Sequence, residues 1–138
     1  MAKRKIYVTE RDRQRLEDII AAFDEVDHRD RSDIDALAAE LRRAETVAAE
    51  DIPANVVTMN SKVVLRDMAN GETKTWVLVF PRNANASAGA ISVLAPVGTA
   101  ILGYATGDEI EWRVPSGTRR LRIEEVLYQP EAAGDFHL

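Results

Sequence analysis

The sequence predicts an α+β protein: an N-terminal antiparallel two-helix hairpin, a short coiled coil, followed by an antiparallel β domain wrapped around a short helix. Three observations carry this expectation. Apolar residues recur with the helical period through roughly the first fifty positions. That pattern breaks at Ile52-Pro53 and gives way to short β-branched runs separated by turn signals. Finally, Ser92 to Gly103 reads as a short apolar strand, a proline corner and one capped helical turn. The expected domains are residues 1–50, the hairpin, and residues 51–138, the sheet domain.

Ile6-Tyr7-Val8 is a brief apolar run closed by Thr9, and Thr9 with Asp12 three positions on forms a variant capping box. Leu16, Ile19, Ile20 and Phe23 then fall at i, i+3, i+4 and i+7, one apolar stripe on a helix of residues 10–26. Ser32, with Asp33 and Asp35 in the first turn, opens a second helix whose stripe is Ile34, Leu37, Ala38, Leu41, Ala44 and Ala48. At 1.5 Å per residue such helices make an arm of roughly 24 Å. Residues 24–35 between the stripes hold six acids against two arginines, so the hairpin carries an acidic tip at Asp24, Asp27, Asp30 and Asp33. Pro53 cannot continue the second helix.

Beyond it, Val56 to Met59 and Lys62 to Arg66 read as short strands. Ala69-Asn70-Gly71-Glu72 turns the chain into a strand from Thr73 to Phe80, and residues 82–89 form an exposed loop. In Ser92 to Gly103, Pro96 suits the first helical position and Gly103 the C′ position, with Val93, Leu94, Ile101 and Leu102 in the core. The corner at Ala95 to Gly98 is the part expected at the surface. Ile110, Trp112 and Val114 alternate with charged residues, a strand with one wet face. Arg119 to Tyr128 returns beside it, and Glu124-Glu125 shifts its phase, the mark of a β-bulge. Residues 129–138 are too few for a further element, with Phe136 and Leu138 expected to pack back on the sheet.

Composition narrows function by exclusion. The chain of 138 residues has 46% apolar content and no cysteine, which removes disulfides, thiolate zinc sites and cysteine nucleophiles. A charged start that is only briefly apolar is neither a signal peptide nor a membrane span, so a cytoplasmic protein is expected. A net charge of −5 opposes a dedicated nucleic-acid binder and fits a protein partner or a small ligand better. No phosphate-cradling glycine motif occurs, and Gly98, Gly103 and Gly107 are punctuation. His28 and His137 lie far apart without metal-ligand spacing, and Ser61, Ser87, Ser92 and Ser116 lack a nucleophile context. Tyr104, Trp112 and Tyr128 are read as core aromatics. No enzyme activity, metal or cofactor is expected. The tip carboxylates retain one alternative use, holding a Mg²⁺ whose other ligands a second macromolecule supplies.

Ile91-Ser92-Val93-Leu94-Ala95-Pro96-Val97-Gly98-Thr99-Ala100-Ile101-Leu102-Gly103, followed by Gly107-Asp108, the Pro115 to Gly117 turn and a strand ending at Tyr128, resembles the C-terminal domain of the Gre family of bacterial transcript cleavage factors. Val56-Val57-Thr58-Met59-Asn60-Ser61 and the ending Leu127-Tyr128-Gln129-Pro130-Glu131-Ala132-Ala133-Gly134-Asp135 are closer still to a short-armed branch of that family, the regulators of nucleoside diphosphate kinase. The resemblance spans the C-terminal domain in full and the arm in outline.

The resemblance implies an FKBP-like fold for residues 51–138, without prolyl isomerase activity, docking on RNA polymerase near the rim of the secondary channel. It makes Ala95, Pro96, Val97 and Gly98, with Met59 and Asn60, the candidate docking residues. The arm is shorter than in Gre factors and its tip lacks their Asp-Leu-x-x-Asn-Ala pattern, so no stimulation of transcript cleavage is expected. The implied function is a non-catalytic, monomeric regulator that competes with Gre factors and affects nucleoside diphosphate kinase levels indirectly. DNA enters only as a family-level trait, with no sequence-specific nucleic-acid contact. The alternative from another class is an FKBP-like prolyl isomerase or peptide-binding module.

Overall fold

The computed structural model describes residues 5–26, 32–114 and 117–138. Strand β1, Tyr7–Thr9, leads directly into helix α1, Glu10–Val26; helix α2, Ser32–Arg43, leads into strand β2, Glu45–Val47. The first helix occupies the span its apolar stripe predicts, and Thr9 caps it: the Asp12 amide donates to Thr9 Oγ1 at 3.0 Å. The second helix is shorter than its stripe. Ala44 and Ala48 lie beyond it, and the β-branched pair Thr46-Val47 joins a ladder instead, Tyr7 opposite Glu45 and Thr9 opposite Val47, running parallel. The helical hairpin is therefore the crossover between two parallel strands, which alternation over three residues is too short to announce. Arg13 of α1 fixes the end of α2, donating from Nη2 to the Leu41 and Ala44 carbonyls at 2.6 and 3.0 Å and from Nε to Thr46 Oγ1 at 2.5 Å. The guanidinium thereby supports carbonyls at and just past the end of α2, where the helical ladder runs out; the Leu41 carbonyl also accepts from the Ala44 amide at 3.2 Å.

The second sheet has five strands in the order β5-β4-β3-β7-β6. They are β3, Lys62–Asp67; β4, Thr73–Val79; β5, Ala90–Ser92; β6, Glu109–Val114; and β7, Gly117–Tyr128. The expectation of an all-antiparallel sheet is corrected here: β5 runs parallel to β4, with Val77 opposite Ala90 and Val79 opposite Ser92. Residues 82–89, read as a loop, belong to a return segment that starts at Pro81: two 3₁₀ turns, Pro81–Asn83 and Ala86–Ala88, carry the chain back along the sheet, so that β5 enters from the same end as β4. Val56 to Met59 is also no strand. Val56 makes one bridge to Ala105, after which the chain turns at residues 59–60.

The bulge expected near Glu124 is present, and Leu127 forms a second one. Each extra residue is pushed outward: Leu127 is exposed, and Glu124 accepts from Arg66 Nε at 3.0 Å across the sheet.

Helix α3, Pro96–Ile101, packs its Ile101 and the following Leu102 into one cluster with Ile6, Val8, Leu16, Leu37 and Leu41 from the arm and Val63, Leu78, Val93, Ile110 and Ile123 from the sheet. The ten-residue tail does hold an element, the single turn α4, Pro130–Ala133, capped by the Gln129 side chain. Gln129 Nε2 also donates to the Pro53 and Val56 carbonyls at 2.8 and 2.7 Å. Phe136 and Leu138 are exposed rather than packed on the sheet, because the tail's carbonyls are drawn to α1: Arg11 bonds the His137 carbonyl and Arg15 the Leu138 carbonyl.

Candidate docking surface

The corner between β5 and α3 is closed by backbone groups and two hydroxyls. Ser92 closes it twice, accepting from the Ala95 amide through its carbonyl at 3.0 Å and from the Leu94 amide through Oγ at 3.0 Å. Thr99 Oγ1 donates back to the Val93 carbonyl at 2.5 Å. Ala95 is the helix N-cap and Pro96 follows at N1, so the ring sits where no amide hydrogen is needed. Gly98 is buried directly over Ser92: a β-carbon there would lie 2.1 Å from the Ser92 carbonyl oxygen. The glycine is required by this close approach, since its φ is ordinary.

Of the residues predicted at this surface, Pro96 is exposed and Ala95 and Val97 are half-buried, while Gly98 is buried. Val93, Ile101 and Leu102 are core as expected, and Leu94 is partly buried. Asn60 lies at the same end of the sheet, its amide bonded to the Leu78 carbonyl at 2.6 Å, and is held at φ +68°. Asparagine tolerates that conformation better than most side chains. Met59 is 0% exposed, so its side chain belongs to the core and its part is to hold Asn60 in place. Asp33 is exposed in the first turn of α2; Asp27, Asp30 and the side chain of Asp24 lie outside the described residues, as does His28. Tyr104 is buried, as expected of a core aromatic, and Tyr128 is half-buried with its hydroxyl donating to Asp135 Oδ2 at 2.5 Å; the side chain of Trp112 is outside the described set.

A second cluster at this end has no counterpart in the sequence reading. Asp12 is 1% exposed, accepting from the Met59 amide through Oδ2 at 3.1 Å and from Arg15 Nη2 through Oδ1 at 2.6 Å. Burial raises its carboxyl above the usual range, against the opposing pull of the Met59 amide and Arg15. Arg15 in turn lies 4.7 Å over the Phe80 ring. The root of the arm is thus joined to the sheet domain through one buried carboxylate and one arginine. Gly103 completes the joint, at φ +85° with its β-carbon position 2.9 Å from Ile6 Cβ and its carbonyl accepting from the Tyr7 amide at 3.3 Å. Beside Arg15 a cleft of about 390 Å³ is lined by Arg15, Asp18, Ile19, Phe80, Pro81 and Arg82. Among the described residues no group of three histidine or acidic side chains is placed to hold a metal ion, and no helix is long and apolar enough to cross a membrane.

Comparison with known proteins accords with this architecture. The family description "Transcription elongation factor, GreA/GreB, C-term" matches residues 52–128, and "Rnk N-terminus" matches residues 4–47. The chain is 48% identical over 105 residues to the Escherichia coli K12 protein named regulator of nucleoside diphosphate kinase, covering 75% of this chain and 77% of that one. It is 38% identical over 89 residues to transcription elongation factor GreA of Dehalococcoides mccartyi, covering 64% of this chain and 57% of the longer relative. Among solved structures, a prokaryotic transcription elongation factor GreA/GreB from Nitrosomonas europaea superposes with a TM-score of 0.74 at 45% identity, covering 90% of this chain and all of that one.

Proposed function

The chain belongs to the GreA/GreB family of transcription elongation factors, and from that premise we propose that it is a non-catalytic regulator that binds RNA polymerase near the secondary channel and competes there with Gre factors. The observation that carries the reading is the corner itself. A backbone-locked turn with an exposed proline, built on a glycine that admits no side chain, is a preorganised contact that loses little entropy on docking. On this reading residues 51–138 are an FKBP-like docking module without isomerase activity. Within residues 1–50, helices α1 and α2 act as a short coiled-coil arm that reaches toward the channel without stimulating transcript cleavage, and any effect on nucleoside diphosphate kinase levels is indirect.

Binding to core RNA polymerase, followed by displacement with a Gre factor, tests the proposal. The expected result is saturable one-to-one binding that the Gre factor reverses, with no transcript shortening in a stalled elongation complex. Absence of binding, or binding the Gre factor leaves untouched, would overturn it.

A further inference from the structure

We propose that residues 129–138 act as a strap that fixes the angle of the helical arm against the sheet domain, so that arm and corner meet the polymerase as one rigid unit; this rests on the polymerase reading above. The segment lies beyond residues 52–128, the stretch that matches the GreA/GreB description. Its contacts fall at three stations. At the linker, Gln129 is buried, with Nε2 donating to the Pro53 and Val56 carbonyls at 2.8 and 2.7 Å and Oε1 accepting from the Ala132 amide at 3.1 Å. Two residues on, Glu131 Oε1 accepts from Thr58 Oγ1 at 2.7 Å, and Thr58 directly precedes Met59, whose amide donates to Asp12. Gly134 then turns the chain at φ +80°, and the carbonyls of His137 and Leu138 accept from Arg11 Nη2 and Arg15 Nη2 at 2.9 and 3.0 Å.

The placement of these contacts makes the segment a brace. Arg11 and Arg15 are four residues apart and share one face of α1, while Arg13, about 200° round the helix from Arg11, bonds the end of α2. The root of α1 is thus gripped from two sides, by α2 on one and by the strap on the other. Polar contacts hold the far half of the strap, since Phe136 and Leu138 are exposed and bury little apolar surface. Guanidinium-to-carbonyl bonds are charge-assisted and directional, which suits a surface fastening. The arm then acts as a lever: α1 is 17 residues long, so a tilt of roughly 10° at its base displaces the far end by about 4 Å. A partner that touches both Pro96 and the arm loses its fit by that displacement.

The chain has no cysteine, so Ala22→Cys on α1 and Thr75→Cys on β4, both at exposed positions, accept a single pair of spin labels. The experiment measures the distance between the labels by pulsed electron resonance in the free full chain, with Tm and the Kd for core polymerase recorded for each variant. Arg11→Ala combined with Glu131→Ala is expected to broaden the distance distribution about twofold and to raise Kd about fivefold. Arg11→Lys combined with Glu131→Gln keeps a donor and an acceptor at those stations and is expected to match wild type in both readouts. Arg11→Ala alone, at an exposed position, carries the same test if the double alanine variant melts early. Pro96→Asp is expected to weaken binding with the distances unchanged, which separates the strap from the corner. A double alanine distribution that superimposes on wild type overturns the proposal, and so does a broadened one with the wild-type Kd; in either case the docking reading stands. If wild type does not bind polymerase, both fail together.

Discussion

The corner at residues 92–103 and the arm root at residues 9–15 sit at one end of the sheet, yet are held by opposite kinds of force. The corner is steric and backbone-bonded: proline at the first helical position, glycine against a carbonyl, and serine and threonine hydroxyls closing the turn. The arm root is electrostatic, a buried carboxylate shared between the Met59 amide and Arg15. One region excludes alternatives by shape, and the other depends on a charge kept out of water. They should therefore fail under different perturbations.

The largest effect is expected from Gly98→Ala, which drives a methyl group into the Ser92 carbonyl. A loss of about 3 kcal/mol in urea unfolding follows, the upper end of the usual cost of overpacking a core site. Next comes Asp12→Ala, which strands the Met59 amide and leaves the Arg15 guanidinium without its carboxylate. A loss of about 2–3 kcal/mol is expected in the same assay, and a near-neutral result would show that the joint does not depend on the charge. Arg13→Ala removes three hydrogen bonds at the end of α2 and should cost about 1–2 kcal/mol.

Acidity separates the two regions further. Burial raises the folded-state pKa of Asp12, so the native protein holds that proton more firmly than the unfolded chain does. The stability Asp12 confers is greatest at low pH and declines as pH rises from the ordinary carboxylate value of about 4 toward the raised one. The stability of wild type relative to Asp12→Asn, followed by urea midpoints at successive pH values, should fall through that window. A flat difference, or one that grows with pH, would break this half of the comparison.

The corner was legible in the sequence because its determinants are local: a proline and two glycines at fixed offsets constrain the chain within a dozen residues. The N-cap at Thr9 was legible for the same reason. The remaining role of Asp12 was not, because its carboxylate bonds an amide 47 positions away rather than the cap it resembles. The parallel pairing of β4 with β5 was hidden likewise, since alternation marks a strand but not the direction of its neighbour. The tail's attachment to α1 depends on arginines more than a hundred positions distant, beyond any periodicity.

The smallest stability effect is expected where the functional effect is largest. Pro96 is exposed, and aspartate is favourable in a helical first turn, so Pro96→Asp should alter stability by no more than about 0.5 kcal/mol. The most direct test is therefore the Kd of this variant for core RNA polymerase beside that of wild type. The docking account predicts binding weakened about tenfold or more at unchanged Tm. Binding equal to wild type would contradict it.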